Sequence, residues 1–413
     1  MTRPDQFTSP TRADVPVPPL DGFQIDRVRV LPLTLPICNS ILYTQGRISS
    51  FQRIIVELTT TSGITGWGEC RGDALRYTFL RDLAPTLVGV DPYQLEALRW
   101  RIAPEGLVEL FAGTVAVQCY SAIEMACLDL VGKKTGRPVA DLFGGRIRDE
   151  VDIAGYLYYS GEFGSPSAEA DLLTWAYRMI EQYGFTTLKY KCGVHAPDEE
   201  IATLLRLRQE FPDHRLRIDP NGAWGISTSA RMLTAAHEAN VEYVEDPAST
   251  SAKNARIREM SLGVALASNQ SVSSVETMAA DQAFGAIDIP LIDLNWYGGF
   301  RGSTLAARMA GLLGRDVGIH SSMETAISQS AQLQLASCVA NLPYACDSHY
   351  PYLDADVGPS LAIEDGRMRV PTGPGLGVEV DVGALERLHE RWQESGFLSW
   401  DIPGGRLPML PRW

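Results

Sequence analysis

Six polar residues with reactive or metal-binding side chains recur at near-even intervals along the chain: Lys191, Asp219, Glu245, Asn269, Asp293 and His320. Successive members are 28, 26, 24, 24 and 27 residues apart, close to the length of one strand, one helix and two loops. Each of them ends a short β-rich run. In a (β/α) barrel the C-terminal ends of the strands converge on one face, where active sites lie. The spacing therefore predicts that the six side chains meet in one cluster.

Asp219, Glu245 and Asn269 end three consecutive runs and offer oxygen ligands without a thiol or an imidazole. Hard oxygen ligands suit Mg²⁺, which keeps coordination positions open for water and substrate. With two anionic ligands among the three, the ion stays Lewis acidic toward a substrate carboxylate. Either acid taken alone is as readily a strand-end or N-cap residue. It is the series that predicts a magnesium site.

Lys189 and Lys191 stand one residue apart on a predicted strand, so both side chains point to the same side. Two ammonium groups this close repel each other. We expect that repulsion, together with a nearby Mg²⁺ ion and partial burial, to lower the pKa of one lysine and let it act as a base. The alternative is an exposed strand edge. We favour the catalytic interpretation because helices cover a barrel strand from outside and an unpaired buried charge is costly.

Asp293 and His320 end neighbouring predicted strands. A carboxylate bonded to one imidazole nitrogen fixes the tautomer and raises the basicity of the other nitrogen. The pair is therefore predicted to act as a second base or acid, facing Lys191 across the substrate. The histidines outside this series are interpreted as ordinary core or surface residues: His195, His214, His237, His349 and His389.

The sequence around these residues divides into two patterns. From residue 23 to about 70 apolar and polar residues alternate, which predicts an antiparallel sheet, and residues 116–142 carry apolar residues at helical spacing. After about residue 150, eight β-rich runs alternate with amphipathic helices, which is typical of a parallel sheet. A (β/α)₈ barrel explains the regular series better than other common α/β layouts.

Composition narrows the function classes. The 413 residues carry a formal net charge of −14, which argues against nucleic-acid or anionic-membrane partners because both need a basic patch. The sequence shows no window of the roughly 18 apolar residues that a membrane span needs, and no apolar signal core. Seven cysteines without a CxxC pair indicate reduced thiols. We therefore expect a cytoplasmic enzyme with a small-molecule substrate.

The residues resemble the mandelate racemase branch of the enolase superfamily, and most closely the glucarate dehydratases. The resemblance spans about residues 23–385. The motifs that carry it are YGFTTLKYKCG, LRIDPNGAW, VEYVEDP, ASNQ, IPLID and GIHSS, with GITGWGE, SAIEMACLDL, GYLYY and PGLGVEVD in support. An asparagine as third metal ligand and the DPNGAW sequence are typical of the glucarate dehydratase subgroup.

The resemblance implies a specific fold and domain order. The fold is α/β, with a (β/α)₇β-type modified TIM barrel and an α+β capping domain formed from the N-terminal region and the C-terminal tail. The expected division is a flexible tail at 1–22, a capping domain at 23–150, the catalytic barrel at 151–370 and a segment at 371–413 that returns to the capping domain. The resemblance also implies a homo-oligomer.

The resemblance further implies a reaction and residue roles. Mg²⁺ would lie on the three oxygen ligands, Lys191 would be a base assisted by Lys189, and His320 would form a dyad with Asp293. Tyr156 falls where the family has a substrate-contacting tyrosine, and Asn221 in the DPNGAW motif is a further candidate for substrate binding. The implied reaction is removal of the α-proton of a polyhydroxy acid by Lys191 or His320, followed by loss of the β-hydroxyl, giving a 2-keto-3-deoxy acid.

Several positions depart from the subgroup, and they concern the substrate rather than the chemistry. Thr44 and Ser49 align with an asparagine and a histidine that contact the distal end of the diacid. The motif after the dyad histidine is SSMET, which makes Ser321 and Glu324 substrate-binding candidates. Arg47 could hold a distal carboxylate by a bidentate contact, although a surface arginine is the more common case.

Other functions stay open at this point. A racemase or epimerase of a 2-hydroxy or related carboxylic acid uses the same opposed bases without elimination. A cycloisomerase or dipeptide epimerase would be expected to have a lysine at Asp293, and a non-catalytic barrel should have lost a ligand or a base. The glycine-rich run at 298–302 lacks the lysine and spacing of a P-loop and is interpreted as a flexible barrel loop.

Overall fold

The computed structural model describes residues 22–104, 111–397 and 413. The loose tail predicted for 1–22 therefore lies, apart from its last residue, outside the described residues. The described chain opens with three strands, β1 (Ile25–Tyr43), β2 (Gly46–Thr60) and β3 (Thr65–Arg71). They pair antiparallel in chain order, as the alternating pattern predicts.

Four helices follow this sheet: α1 (Ala74–Leu83), α2 (Leu95–Ile102), α3 (Phe111–Thr135) and α4 (Val139–Leu142). The glycines of the GWGE sequence let α3 approach β3 closely. A Cβ atom on Gly68 would lie 1.8 Å from the Ala122 carbonyl oxygen, and one on Gly66 would lie 2.4 Å from that of Ala126. These close contacts explain why the strand needs glycine at both positions.

Helix α3 corrects the expectation that the chain contains no stretch apolar enough to span a membrane. The stretch Thr114–Thr135 meets that criterion by length and composition, and the whole apolar window is buried inside the protein. It is apolar on all sides because it packs against the sheet on one side and against helices on others.

The second half of the chain is a barrel of eight strands: β4 (Glu150–Leu157), β5 (Thr187–Lys191), β6 (Arg215–Asp219), β7 (Tyr243–Glu245), β8 (Leu266–Ser268), β9 (Ile289–Ile292), β10 (Gly318–Ile319) and β11 (Cys346–Ser348). Neighbours in chain order from β4 to β10 pair in parallel. β11 pairs in parallel with β4 and also contacts β10, which closes the barrel.

A helix follows each of the first seven barrel strands: α5 (Ala168–Tyr183), α6 (Pro197–Glu210), α7 (Ile226–Glu238), α8 (Ser251–Arg258), α9 (Val275–Asp281), α10 (Gly299–Leu312) and α11 (Ala326–Cys338). After β11, a short 3-10 turn (Tyr350–Tyr352) takes the place of an eighth barrel helix in the described chain. Strand β12 (Arg367–Arg369) then pairs antiparallel with β4. This is the (β/α)₇β arrangement that was predicted.

The chain returns to the capping sheet through α12 (Val382–Ser395), which packs against β1. The capping domain therefore includes residues from both ends of the described chain. The domain boundaries drawn from the sequence at 22, 150 and 370 stay predictions. All seven cysteines are free, as expected.

The glycine-rich run at 298–302 was wrongly predicted as a flexible loop, because most of it forms the first turn of α10. Gly298 caps this helix in the left-handed conformation at φ +73°. A Cβ atom on Gly299 would lie 1.8 Å from a carboxylate oxygen of Glu124 on α3. The glycines thus allow a capping-domain carboxylate to reach the N-terminus of a barrel helix, where the backbone N–H groups point outward.

Candidate active site

Two buried lysines stand in the centre of the barrel mouth. All five residues of β5 are buried, and Lys189 and Lys191 are 0% and 4% exposed. The Lys189 ammonium contacts Glu245 and lies 2.5 Å from Asp347 on β11. The Lys191 ammonium contacts Asp219. Side chains from four strands therefore meet here, as the spacing predicts for the first three.

The charge state of these lysines differs from the sequence expectation. Burial lowers the pKa of Lys191, but Asp219 and Glu245 act in the opposite direction and leave the pKa raised. Burial also lowers the pKa of Lys189, and Asp347 and Glu245 more than offset it. The predicted lysine repulsion is present but weaker than these attractions. The carboxylates of three strands thus hold both ammonium groups in the charged form.

The three residues predicted to bind Mg²⁺ lie at the ends of adjacent strands. Asp219 and Glu245 are fully buried, and Asn269 follows β8 directly. In the orientation that satisfies its amide, Asn269 donates to Glu245 at 3.2 Å and to Asp246 at 2.5 Å. Its amide oxygen then lies 3.2 Å from Nε2 of His320. Asn269 therefore contacts Glu245, while Asp219 is linked to Glu245 through Lys189, whose ammonium lies 3.9 Å from the Asp219 carboxylate and contacts that of Glu245.

This donor set suits a divalent cation. Burial and the neighbouring Asp219 raise the pKa of Glu245 well above its usual range, which shows that the two carboxylates repel each other. A cation held between them would relieve that repulsion. Within the described ranges no three His, Cys, Asp or Glu side chains form such a group, so an ion here depends on Asn269 as third ligand.

The Asp293–His320 dyad is formed. Nδ1 of His320 lies 2.9 Å from the Asp293 carboxylate, which also accepts from the Ser322 hydroxyl at 2.6 Å and the Asn295 N–H at 2.6 Å. Burial opposes ionisation of Asp293, but the bonds from His320 and Ser322 prevail and lower its pKa. The arrangement leaves Nε2 of His320 directed toward the Asn269 amide oxygen. It is thus oriented to transfer a proton at the centre of the site.

His349 is a buried and hydrogen-bonded core residue, as the sequence interpretation allows, and it lies in a polar network that the sequence did not indicate. Nδ1 of His349 lies 2.7 Å from the Ser321 hydroxyl, which donates to Glu324 at 2.5 Å. Nε2 of His349 lies 2.6 Å from the Tyr158 hydroxyl and 3.3 Å from that of Tyr43. The imidazole therefore links the loop after β10 to the first capping hairpin.

A signal for His349 was present in the sequence. It follows the eighth barrel strand directly, and subtracting 320 from 349 gives an interval of 29 residues, which continues the series. Asp347, the partner of Lys189, lies on that same strand and was also missed. Both were overlooked because the eighth β-rich run, near LPYACDS, gives a weaker pattern in the sequence than the other seven.

Tyr156 and Asn221, two of the predicted substrate-binding residues, lie next to the lysines and the predicted metal ligands. The Tyr156 ring lies 5.0 Å from the Lys189 ammonium and 5.5 Å from that of Lys191, beneath the cluster. The Asn221 N–H donates to Asp219 at 2.8 Å, and its side chain accepts from Gln270 at 3.3 Å. Asn221 is therefore adjacent to the ligand set.

The capping hairpin places only part of its candidates near the site. Thr44 is buried, and its methyl group lies 2.8 Å from the position of a Cβ atom on Gly193, two residues after Lys191. The Thr44 hydroxyl has no hydrogen-bond partner among the described residues. Arg47 forms an ion pair with Glu162 at 2.6 Å, and Ser49 is exposed on β2 and takes no part in the bonds described above.

Comparison with known proteins agrees with this geometry. Residues 30–144 match the mandelate racemase / muconate lactonizing enzyme N-terminal domain, and residues 171–384 match the enolase C-terminal domain-like family. A protein of Streptomyces coelicolor named probable glucarate dehydratase is 34% identical, over 90% of this chain and 95% of its own length. A chloromuconate cycloisomerase of Cupriavidus pinatubonensis is 30% identical, over 81% and 90% respectively.

Solved structures extend the likeness to the whole fold. An enolase from Mycobacterium smegmatis complexed with tartrate superposes with a TM-score of 0.88 at 33% identity, covering 95% of this chain and 99% of that one. An enolase from Thermobispora bispora complexed with magnesium and formate gives 0.87 at 33% identity, covering 95% and 100%. The chain therefore belongs to the mandelate racemase / muconate lactonizing enzyme family of the enolase superfamily.

Proposed function

We propose that the protein is a magnesium-dependent dehydratase of acid sugars. The observation that carries the proposal is the placement of two different proton-transfer groups beside one set of oxygen ligands. Lys191 contacts the ligand Asp219 on one side, and Nε2 of His320 lies 3.2 Å from the ligand Asn269 on the other. An elimination needs a base for the α-proton and an acid for the leaving hydroxyl, and this pair can supply both.

Asp219, Glu245 and Asn269 are the residues that would hold Mg²⁺. The bound ion would supply Lewis-acid stabilisation of the substrate carboxylate when its α-carbon loses a proton. A cation on Asp219 and Glu245 would also compete with the lysines for these carboxylates. That competition favours the neutral form of Lys191, which a base requires. The magnesium-bound structure from Thermobispora bispora supports this assignment by likeness.

The site residues can accept and donate the protons that the elimination transfers. Lys191 or His320 removes the proton α to the carboxylate, and the electron pair forms the carbon–carbon double bond as the β-carbon–oxygen bond breaks. The imidazolium of His320 gives its proton to the leaving hydroxyl, which departs as water. The resulting enol becomes a 2-keto-3-deoxy acid by proton transfer. Asp293 holds the imidazole and stabilises its charged form throughout.

The probable glucarate dehydratase and the tartrate complex among the relatives favour a small carboxylic acid as substrate. The cycloisomerase relative keeps a second reaction class in view. Against it stands Asp293, which is bonded to His320 instead of being the lysine expected of a cycloisomerase. A racemase or epimerase of a hydroxy acid would use the same two bases and is the second candidate. A cytoplasmic location and a homo-oligomeric state are proposed on the resemblance alone.

The test is a screen of the purified protein with Mg²⁺ against a library of acid sugars, in which 2-keto products are trapped with semicarbazide. We expect a keto product from at least one acid, no product after chelation, restored product on adding Mg²⁺, and none with Lys191→Ala. A library without product that shows exchange of the α-proton in D₂O would replace dehydration by racemisation or epimerisation. Absence of both signals would remove the proposed activity.

A further inference from the structure

Arg71, at the end of β3, carries a guanidinium group for which the described residues supply neither a hydrogen bond nor an ion pair. Two other arginines of the capping domain each have an anionic partner. Arg53 donates to Glu69 at 2.5 Å, and Arg76 pairs with Asp73. The contrast matters because Arg71 keeps the N–H donors of its guanidinium available for an anion from outside.

The strand register shows which way Arg71 faces. Arg71 lies directly opposite Arg53 in the antiparallel β2–β3 pair, and opposed residues share one face of a sheet. Arg53 reaches the barrel on that face, since its guanidinium donates to the Ser322 carbonyl at 2.6 Å. Ser322 in turn bonds to Asp293 of the dyad. The Arg71 side chain therefore leaves the capping sheet toward the loop that carries His320.

Arg71 is exposed to solvent and has other charged side chains nearby. Desolvation and the nearby Arg76 lower its pKa, although Asp73 acts in the opposite direction. Tyr43 interacts electrostatically with both Arg71 and Asp219, so it lies near both. The Tyr43 hydroxyl lies 3.0 Å from that of Tyr158. Arg71 therefore shares a polar neighbour with the predicted ligand Asp219.

We propose that Arg71 is the specificity residue that binds a second carboxylate at the far end of the substrate. The proposal rests on the proposed function, because it assumes that the first carboxylate lies at Asp219 and Glu245. A planar guanidinium suits a carboxylate by two parallel hydrogen bonds. The buried Thr44 hydroxyl of the capping domain is a further polar atom without a hydrogen-bond partner among the described residues. Arg47, which the sequence offered as a candidate for a distal carboxylate, forms an ion pair with Glu162.

The test compares acids that differ only at the far end, such as glucarate with gluconate and galactarate with galactonate. For the wild type we expect the diacid of an active pair to be turned over with a kcat/KM about 100-fold above that of the monoacid, the usual scale for a charge-assisted pair. Arg71→Met should raise KM for the diacid and so lower this ratio toward one. The kcat/KM for the monoacid should stay unchanged. Arg71→Lys should keep part of the ratio.

Arg81→Met is the matched control, since it removes the same charge from an exposed capping-domain position that pairs with Asp82. An unchanged diacid-to-monoacid ratio in Arg71→Met overturns the inference while leaving the dehydratase proposal intact. If the wild type turns over no acid, the proposed function fails, and calorimetry with Mg²⁺ then decides the inference alone. A diacid affinity that is weaker for Arg71→Met than for the wild type supports the inference. Equal affinities of the wild type for the diacid and the monoacid, or no binding of either acid, overturn the inference.

Discussion

The barrel side and the capping side of the site are built on different principles. On the barrel side, the charged groups that we have described bond to one another, as Lys191 does to Asp219 and His320 to Asp293. On the capping side, Thr44 has an unused hydroxyl and Arg71 an unused guanidinium in the described chain. Groups that bond to one another have fixed positions, whereas groups with unused hydrogen-bonding capacity can bind a substrate. If both proposals hold, the barrel carries the reaction and the capping domain carries the choice of substrate.

The largest effect is expected from removing the base on the barrel side. Lys191→Ala should lower kcat by about 10⁴-fold, at the upper end of what general acid–base catalysis contributes. KM for the acid should change little, because the carboxylate would be held mainly by other groups. Steady-state kinetics on the acid found in the library screen measure both. Circular dichroism and thermal melting of the variant verify folding, and a kcat within tenfold of wild type would reject Lys191 as the base.

His320→Asn separates the two steps of the barrel side. If Lys191 removes the α-proton, the variant should lose elimination by about 10³-fold or more and still exchange the α-proton with D₂O. If His320 is the base, exchange and elimination disappear together. NMR of the recovered substrate measures the exchange. Asp293→Asn, which keeps the shape but not the charge, should follow the same pattern with a smaller loss. Normal elimination in His320→Asn would contradict the assigned role.

The contrast between the two sides also describes what the sequence could predict. Lys191, Asp219, Glu245, Asn269, Asp293 and His320 were found because one βα unit repeats between successive strand ends. His349 continues that repeat but follows the run near LPYACDS, whose β-pattern is weaker in the sequence than that of the other runs. Arg71 belongs to no repeat, since it ends a capping strand whose position over the barrel depends on tertiary packing.

Charge states were harder to predict than positions. The sequence places two lysines together and so suggests mutual repulsion. The opposing carboxylates come from β6, β7 and β11, and Asp347 on the last of these was not recognised. Because a pKa depends on all charges within a few ångströms, one missed neighbour can reverse its direction. The same reasoning explains why Gly298–Gly302 was misjudged, since the Glu124 carboxylate that the glycines accommodate lies far away in sequence.

A smaller effect is expected on the capping side. Thr44→Val keeps the shape of the buried side chain and removes its hydroxyl, so KM should rise about tenfold, the scale of one hydrogen bond to a charged group. kcat should stay within about threefold of wild type, because the Thr44 hydroxyl is not one of the proposed proton-transfer groups. Thr44→Ser retains the hydroxyl and should restore KM. A loss confined to kcat would show that the hairpin contributes to the chemistry. The capping side would then differ from the barrel side less than we propose.

The smallest effect concerns Glu124, where the two sides meet. Its buried carboxylate comes from capping helix α3 and faces the N–H groups of Phe300 and Arg301 on barrel helix α10. Burial raises its pKa to about 8, although Arg301 and these N–H groups act in the opposite direction. The folded protein therefore binds a proton more tightly than the unfolded chain. Its contribution to stability is complete below the unfolded pKa, near 4.3, and declines as pH rises toward 8.

The glutamine side chain of Glu124→Gln cannot ionise, so the stability of this variant should not decline between about pH 4.3 and pH 8 because of this position. We expect the variant to melt within about 2 °C of wild type at pH 5 and about 3 °C or more above it at pH 9, since roughly 1 kcal/mol shifts Tm by a few degrees. Glu96→Gln is the matched control, because that exposed carboxylate pairs with the same Arg301. Melting curves of the three proteins across pH measure the difference. If the Tm difference between Glu124→Gln and wild type is the same at pH 5 and pH 9, the Glu124 carboxylate is ionised at both pH values. The contact between the two domains would then be a charged one.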